Sequence, residues 1–465
     1  MPLKISISDA YDGGNGKLLK QQPNENDSST IDVLLQIRPD VYTELEEIVH
    51  MQYFSFRSTM SGLEKGSQQT IKYILANAHR VSYPQAWPGT TVFFSHNVED
   101  PDSWKRVTET YYTTGQLTWE FTHTSNGATY FSYFPPYSYA RHLNFVSKCA
   151  EYEAATVESL GQSLEGREME CITVGTGKTV AWIIHRQHPG ETMAEHFAEG
   201  LLTELLGMNT KGKVSEQVER LLTLYTFYIV PCMCPDGGVL GHLRTNKCGA
   251  NLNREWCTKG HYEAPTLERS PEVYHVLNKM DETGVDICLD VHGDEELPFN
   301  FISGAEMIPK WGARLEALHG AFTAAFSRAT PDMQQQIGYP PMESREDALK
   351  YMNVATNQIS NRFDCLALTL EMPFKDCLSN PDPEYGWNPK RSRDLGATIL
   401  TPLEYIHPYL RSEDEFWTDL PSEDAYIPPT DEYQQPKEEA AGEFQMLKKR
   451  FFSDVLEIHK KNPMS

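Results

Sequence analysis

The spacing of apolar residues changes character once along this 465-residue chain, and that change constrains its architecture more than any other feature. Up to about residue 125, short stretches alternate in polarity, as in Ile31-Asp32-Val33-Leu34-Leu35-Gln36-Ile37 and Met51-Gln52-Tyr53-Phe54-Ser55-Phe56-Arg57. Turn residues such as Pro88-Gly89 and Ser125-Asn126-Gly127 punctuate them. A period of two with frequent turns predicts an antiparallel β-domain of sandwich type, with Trp87, Trp104 and Trp119 as core. After Tyr130-Phe131-Ser132-Tyr133-Phe134-Pro135-Pro136, apolar runs of strand length alternate with longer helical patterns, which is the signature of an α/β domain. Cys171–Val174, Val180–His185, Tyr225–Val230, Val285–Val291 and Leu366–Leu370 read as strands buried between helices. The clearest helix runs from Glu191 to Leu206, with Phe197, Leu201 and Leu205 on one face and Gly207 as its stop. From about Arg411 the chain turns acidic and Pro-rich, closing on an amphipathic stretch, Phe444 to His459. The expected organisation is therefore a β-sandwich over residues 1–128 and an α/β domain over 129–410, with a mixed sheet and helices on both faces. An extension with a solvated terminal helix follows over 411–465.

Charge and composition narrow the function classes. No apolar run approaches the length needed to cross a bilayer. A net charge of −24 excludes a nucleic-acid footprint and disfavours anionic membrane surfaces. An acidic substrate would have to be captured by local arginines against that field. The first residues lack the continuous apolar stretch of a signal peptide, and the nine cysteines, scattered from Cys149 to Cys377, read as reduced thiols. Together these predict a cytoplasmic protein.

A catalytic zinc takes three ligands from His and carboxylate and keeps a position for water or substrate. His-x-x-Glu is one source, but it occurs four times, at His96, His188, His196 and His292, so spacing alone selects nothing. Context does. His188-Pro189-Gly190-Glu191 follows an apolar strand and opens the long helix, so both side chains can converge above the strand end. His96 lies in a polar loop, and His196 lies within the helix with Glu199 one turn on, which reads as a solvated pair. The strand Asp286 to Val291 ends on His292-Gly293 and supplies a third ligand where α/β sheets keep their sites. Glu295 could compete with Glu191 but is more simply part of a polar rim. Glu371 ends an almost wholly apolar run, an expensive place for a carboxylate that has no task. Arg244, Asn253 and Arg254 follow the strand ending at Val230, in a turn-rich loop that suits carboxylate or oxyanion recognition. The close pair Cys232 and Cys234 reads as buried thiols.

Taken in order, these segments resemble the M14 family of zinc carboxypeptidases: His188-Pro189-Gly190-Glu191, Cys234-Pro235-Asp236-Gly237, Arg244, Leu252-Asn253-Arg254-x-Trp256, Asp290-x-His292-Gly293 and Thr369-Leu370-Glu371. Phe54-Ser55-Phe56-Arg57 and Phe134-Pro135-Pro136-Tyr137-Ser138-Tyr139 resemble the cytosolic carboxypeptidase branch, which carries a β-sandwich in front. The resemblance spans roughly residues 30 to 405. It implies one Zn2+ held by His188, Glu191 and His292, with Glu371 as general base and proton shuttle. Arg244 would steady the oxyanion, and Asn253 and Arg254 would grip the terminal carboxylate of a peptide or protein tail. Cys234 replaces the usual asparagine, and Asn251 the usual acidic residue. The active-site tyrosine should fall upstream of Glu371, with Tyr351 as candidate. Members that trim glutamate place a basic residue in the segment that is Lys350–Asn361 here, where this chain has Asn353, Thr356 and Asn357, so a deglutamylase-like activity stays open. The alternatives are an aspartoacylase-like or desuccinylase-like zinc amidohydrolase and a non-catalytic, zinc-dependent reader of peptide tails.

Overall fold

The computed structural model describes residues 2–43, 48–257, 264–340, 342 and 344–412. The extension expected over 411–465, with its terminal helix, thus lies almost wholly outside the described residues.

The N-terminal part is all-β, built from two five-stranded sheets. In one, the strands run in the order Lys4–Ser8, Ser55–Ser61, Gly127–Ser132, Phe93–Ser95 and Lys105–Arg106; in the other, Lys17–Pro23, Thr30–Gln36, Gln69–Leu75, Gln116–His123 and Tyr111–Thr113. Aromatic side chains fill the space between them: Tyr73 stacks on Trp119 with centroids 5.5 Å apart, and Phe56 packs against both Trp119 and Phe131. Trp87, Trp104 and Trp119 are buried in this core, as the sequence suggested. Two details differ from expectation. Thr30–Gln36 pairs in parallel with Gln69–Leu75, so the domain is not wholly antiparallel. Residues Met51 to Phe54 are buried but enter no sheet, and the strand begins only at Ser55.

The second part is organised on a seven-stranded mixed sheet, in the order Ala155–Gln162, Glu168–Val174, Tyr225–Val230, Thr179–His185, Ile287–Asp294, Leu366–Pro373 and Phe301–Gly304. The four strands from Tyr225–Val230 to Leu366–Pro373 are mutually parallel, and the remaining pairings are antiparallel. Ile287–Asp294 and Leu366–Pro373 are buried along their whole length, as strands covered on both faces must be. The helix Met193–Leu205 ends at Gly207, whose φ of +59° suits a residue without a side chain. It crosses the helix Pro389–Thr398 at two glycines: a Cβ on Gly200 would lie 1.9 Å from the Arg393 carbonyl oxygen, and one on Gly396 2.1 Å from that of Phe197.

The two parts share one apolar core, and Tyr133 stacks on Phe374 at 4.5 Å across their junction. Among the described residues no helix is long and apolar enough to cross a membrane. All nine cysteines are free, and Cys232 and Cys234 are buried thiols.

Candidate metal centre and its surroundings

The strand Thr179–His185 delivers the chain to Arg186, whose backbone takes a left-handed φ of 56° and turns the next residues up over the sheet. The Arg186 guanidinium fixes that turn from within: Nε donates to the Pro189 carbonyl at 2.8 Å, Nη1 donates to that of Tyr137 at 3.0 Å, and the charge pairs with buried Glu195. Gly190 completes the turn, with its N–H donating to the Leu243 carbonyl at 2.9 Å. His188 and Glu191 are thereby brought together with His292, which stands on the neighbouring parallel strand.

Glu191 lies between the two imidazoles, with Oε1 2.7 Å from His188 Nδ1 and Oε2 2.9 Å from His292 Nδ1. The two Nδ1 atoms are 3.2 Å apart. Each ring's other nitrogen has its own acceptor: His292 Nε2 meets Asp290 Oδ2 at 2.9 Å, and His188 Nε2 meets Asn251 Oδ1 at 3.1 Å. Those acceptors select the Nε2–H tautomers and leave both Nδ1 lone pairs aimed at one point. Two lone pairs and a carboxylate so close together need a cation or a proton between them. All three residues are buried, and their donor atoms fall within 4.8 Å of one another, a set of two nitrogens and an oxygen that fits zinc. The electrostatics agree. Burial opposes ionisation of Glu191, yet the two imidazoles hold its carboxyl well below the usual range. Burial and the Arg244 charge push His188 down to about 4. His292 goes the other way: burial disfavours its cation, but Asp290 and Glu191 on either side outweigh that.

Glu371 is the direct register partner of His292 across the parallel pair. It is 6% exposed, and burial pushes its carboxyl well above the usual range; nearby Glu191 and Asp294 add to that, while His292 opposes it. Its Oε1 accepts a hydrogen bond from the Tyr339 hydroxyl at 3.1 Å, and Oε2 has no protein partner among the described residues. The Tyr339 hydroxyl also lies 2.7 Å from Asp294 Oδ2. Arg244 reaches the centre from the loop after Val230, and its Nη1 donates to the Tyr83 hydroxyl at 3.2 Å. Asn253 is buried, with Oδ1 accepting from the Ala355 N–H at 2.9 Å and Nδ2 3.5 Å from His292 Nε2. Arg254 Nη1 donates to the Asn253 carbonyl at 2.8 Å.

Several sequence expectations need correction. The phenol beside Glu371 belongs to Tyr339, not to Tyr351, which caps the short helix Arg345–Lys350. Gly338 and Pro340 flank Tyr339, and the turn they signal was the one available clue. His196 is not a solvated pair with Glu199: it is fully buried against Tyr137, while Glu199 pairs with Arg141. Glu295 is no exposed rim residue but is 6% exposed, and burial together with Glu191 and Asp294 raises its carboxyl well above the usual range. His96 is exposed in the β-domain, away from the centre. Sequence reasoning also passed over Gln187, whose Nε2 donates to Asp290 Oδ2 at 2.6 Å and whose Oε1 accepts from Trp256 Nε1 at 2.9 Å.

Comparison with known proteins accounts for both parts of the chain. Residues 7–134 match the cytosolic carboxypeptidase N-terminal domain, and residues 144–392 match the zinc carboxypeptidase family. An uncharacterized protein of Zymomonas mobilis is 40% identical over 402 residues, covering 86% of this chain and 96% of that one. The crystal structure of a metallo-carboxypeptidase from Burkholderia cenocepacia is similar with a TM-score of 0.77 at 37% identity, covering 87% of this chain and 99% of that one. A metallo-carboxypeptidase from Pseudomonas aeruginosa, in complex with (2-guanidinoethylmercapto)succinic acid, gives a TM-score of 0.75 at 34% identity over 87% of this chain and all of that one. An all-β domain in front, a mixed sheet behind and a His/Glu/His centre at its strand ends thus have one family in common, and the chain belongs to it: it is a zinc metallocarboxypeptidase of the M14 family, in the cytosolic carboxypeptidase branch.

Proposed function

We propose that the protein hydrolyses the C-terminal peptide bond of peptides or protein tails. In this reading His188, Glu191 and His292 hold the zinc, Glu371 is the general base, Arg244 the oxyanion donor, and Asn253 and Arg254 the carboxylate clamp. The observation that carries it is the register of His292 with Glu371, which sets a buried carboxyl beside the donor cluster. Zinc bound there would supply a Lewis acid that polarises the scissile carbonyl and makes water more acidic. Glu371 takes a proton from the attacking water while the Tyr339 hydroxyl steadies its Oε1. It then returns the proton to the leaving amine. As charge grows on the carbonyl oxygen, Arg244 meets it with a guanidinium, which stays protonated despite its burial. The clamp makes the reaction terminal, since only a chain end presents a carboxylate beside the scissile bond.

Preference for the last residue is the finer question. Asn353, Thr356 and Asn357 offer amide and hydroxyl groups and no cation, so acidic residues would be taken by neutral donors, and a deglutamylase-like preference rests on those alone. We further propose that (2-guanidinoethylmercapto)succinic acid competes with substrate here, through a carboxylate on Asn253 and Arg254. The free thiols and the cytosolic type of N-terminal domain favour a cytoplasmic setting.

The test is a profile of amino acids released from a diverse peptide library by the zinc-loaded chain, with and without chelator. Release of terminal residues that stops with chelator is expected. Release only from N-acylated amino acids would favour the amidohydrolase alternative, and no release from either set would leave the tail-reader.

A further inference from the structure

Arg244 stands in the second part of the chain, yet what holds it comes from the first. Asp40 is 4% exposed, and its carboxylate accepts three consecutive backbone N–H groups: Leu243 to Oδ1 at 2.6 Å, and Arg244 and Thr245 to Oδ2 at 2.8 and 2.9 Å. The Thr245 hydroxyl adds a fourth bond at 3.1 Å. These N–H groups lie in a loop without sheet or helix partners, so the carboxylate both satisfies them and fixes their direction. The Leu243 carbonyl in turn accepts from Gly190, which ties the same loop to the turn between His188 and Glu191.

The side chain is held separately. Among the described residues, the Tyr83 hydroxyl is the one hydrogen-bond acceptor of the Arg244 guanidinium. Tyr83 is itself fixed, because Gln52, which is fully buried, accepts from its N–H at 2.8 Å and donates to its carbonyl at 3.1 Å. Two further contacts press the same stretch against the centre: Gln85 Nε2 donates to Glu296 at 2.5 Å, and Lys375 Nζ donates to the Pro88 carbonyl at 3.1 Å. The Glu191 carboxylate, which the two imidazoles keep ionised, also attracts the guanidinium. The Tyr83 hydroxyl holds Nη1 in place beside it.

We infer that Asp40 and Tyr83 of the N-terminal domain are positioning residues for Arg244, so that the β-domain completes the catalytic apparatus. The inference rests on the role proposed for Arg244. A guanidinium displaced by about an ångström forfeits on the order of a hundredfold in rate. In the full zinc-loaded chain, Tyr83→Phe is therefore expected to lower kcat at least about tenfold, with KM, zinc content and thermal midpoint unchanged. In a double-mutant cycle it should cost nothing further once Arg244→Met is present. Asp40→Asn should lower kcat as well, but if it fails to fold, Tyr83→Phe carries the test alone. Wild-type kcat in Tyr83→Phe, or a loss that adds fully to that of Arg244→Met, would overturn the inference. If the unmodified chain releases no amino acid, the carboxypeptidase reading fails by itself. A crystal structure of Tyr83→Phe then decides the positioning claim: a guanidinium displaced from its place supports it, and one left unmoved refutes it.

Discussion

Glu371 is a carboxyl whose pKa is raised by burial and by neighbouring Glu191 and Asp294 against the opposing His292, with one oxygen bonded by Tyr339 and the other buried. A raised pKa makes the ionised carboxylate a stronger base, which agrees with the proton-transfer role proposed for it. Glu371→Gln keeps the shape and removes the proposed base. It is expected to lower kcat by about 10²- to 10⁴-fold with zinc content intact, as steady-state rates and metal analysis would show. His188, Glu191, His292 and Glu371 were legible in the sequence because each ends or follows an apolar strand, and a strand end is a local signal. Tyr339 was not, because it sits in a loop with no periodic pattern, and Tyr351 looked equally eligible by order along the chain. Asp40 and Tyr83 were beyond reach for another reason: Asp40 precedes Arg244 by 204 residues, and nothing local to either marks the pairing.

At the scale of elements, strand location followed apolar pattern closely. Tyr225–Val230 falls where the pattern put it, and Leu366–Pro373 extends the expected strand through Glu371. Strand direction did not follow, because alternation is the same read either way, and so the parallel pairing of Thr30–Gln36 with Gln69–Leu75 was hidden. The close helix crossing at Gly200 and Gly396 was equally invisible, since either glycine alone looks like a weak point in a helix. There, Gly200→Ala forces a Cβ onto the Arg393 carbonyl and should destabilise the fold by at least about 1–3 kcal/mol in denaturant unfolding. The helix Pro271–Thr283 carries a different liability. Burial raises its Glu272 to about 8 from 4.5, with Asn246 and the residue's own N–H opposing and Asp236 and Glu255 adding. The folded chain then keeps a proton that the unfolded chain has released, so stability falls as pH rises from about 4.5 to about 8, by up to roughly 1.4 kcal/mol per unit. Glu272→Gln should flatten that slope in pH-dependent unfolding and leave a more stable protein at pH 8.

Over the whole molecule, a charge of −24 surrounds a centre that must bind the carboxylate at a chain end. Raising ionic strength from about 0.01 to 0.15 M shortens the screening length from roughly 30 to 8 Å. Peptides with acidic tails should therefore gain kcat/KM with salt, and basic ones should lose it, in parallel initial-rate series. The N-terminal part shares the core and reaches the loop of Arg244 through Asp40 and Tyr83, so the two parts pack as one body. The central claim, terminal hydrolysis at a zinc centre, is tested most directly with two peptides of one sequence, one ending in a free carboxylate and the other in an amide. The zinc-loaded chain should release the last residue of the first and leave the second intact, and chelator should stop the release. Equal cleavage of both, or cleavage that survives chelator, would contradict it.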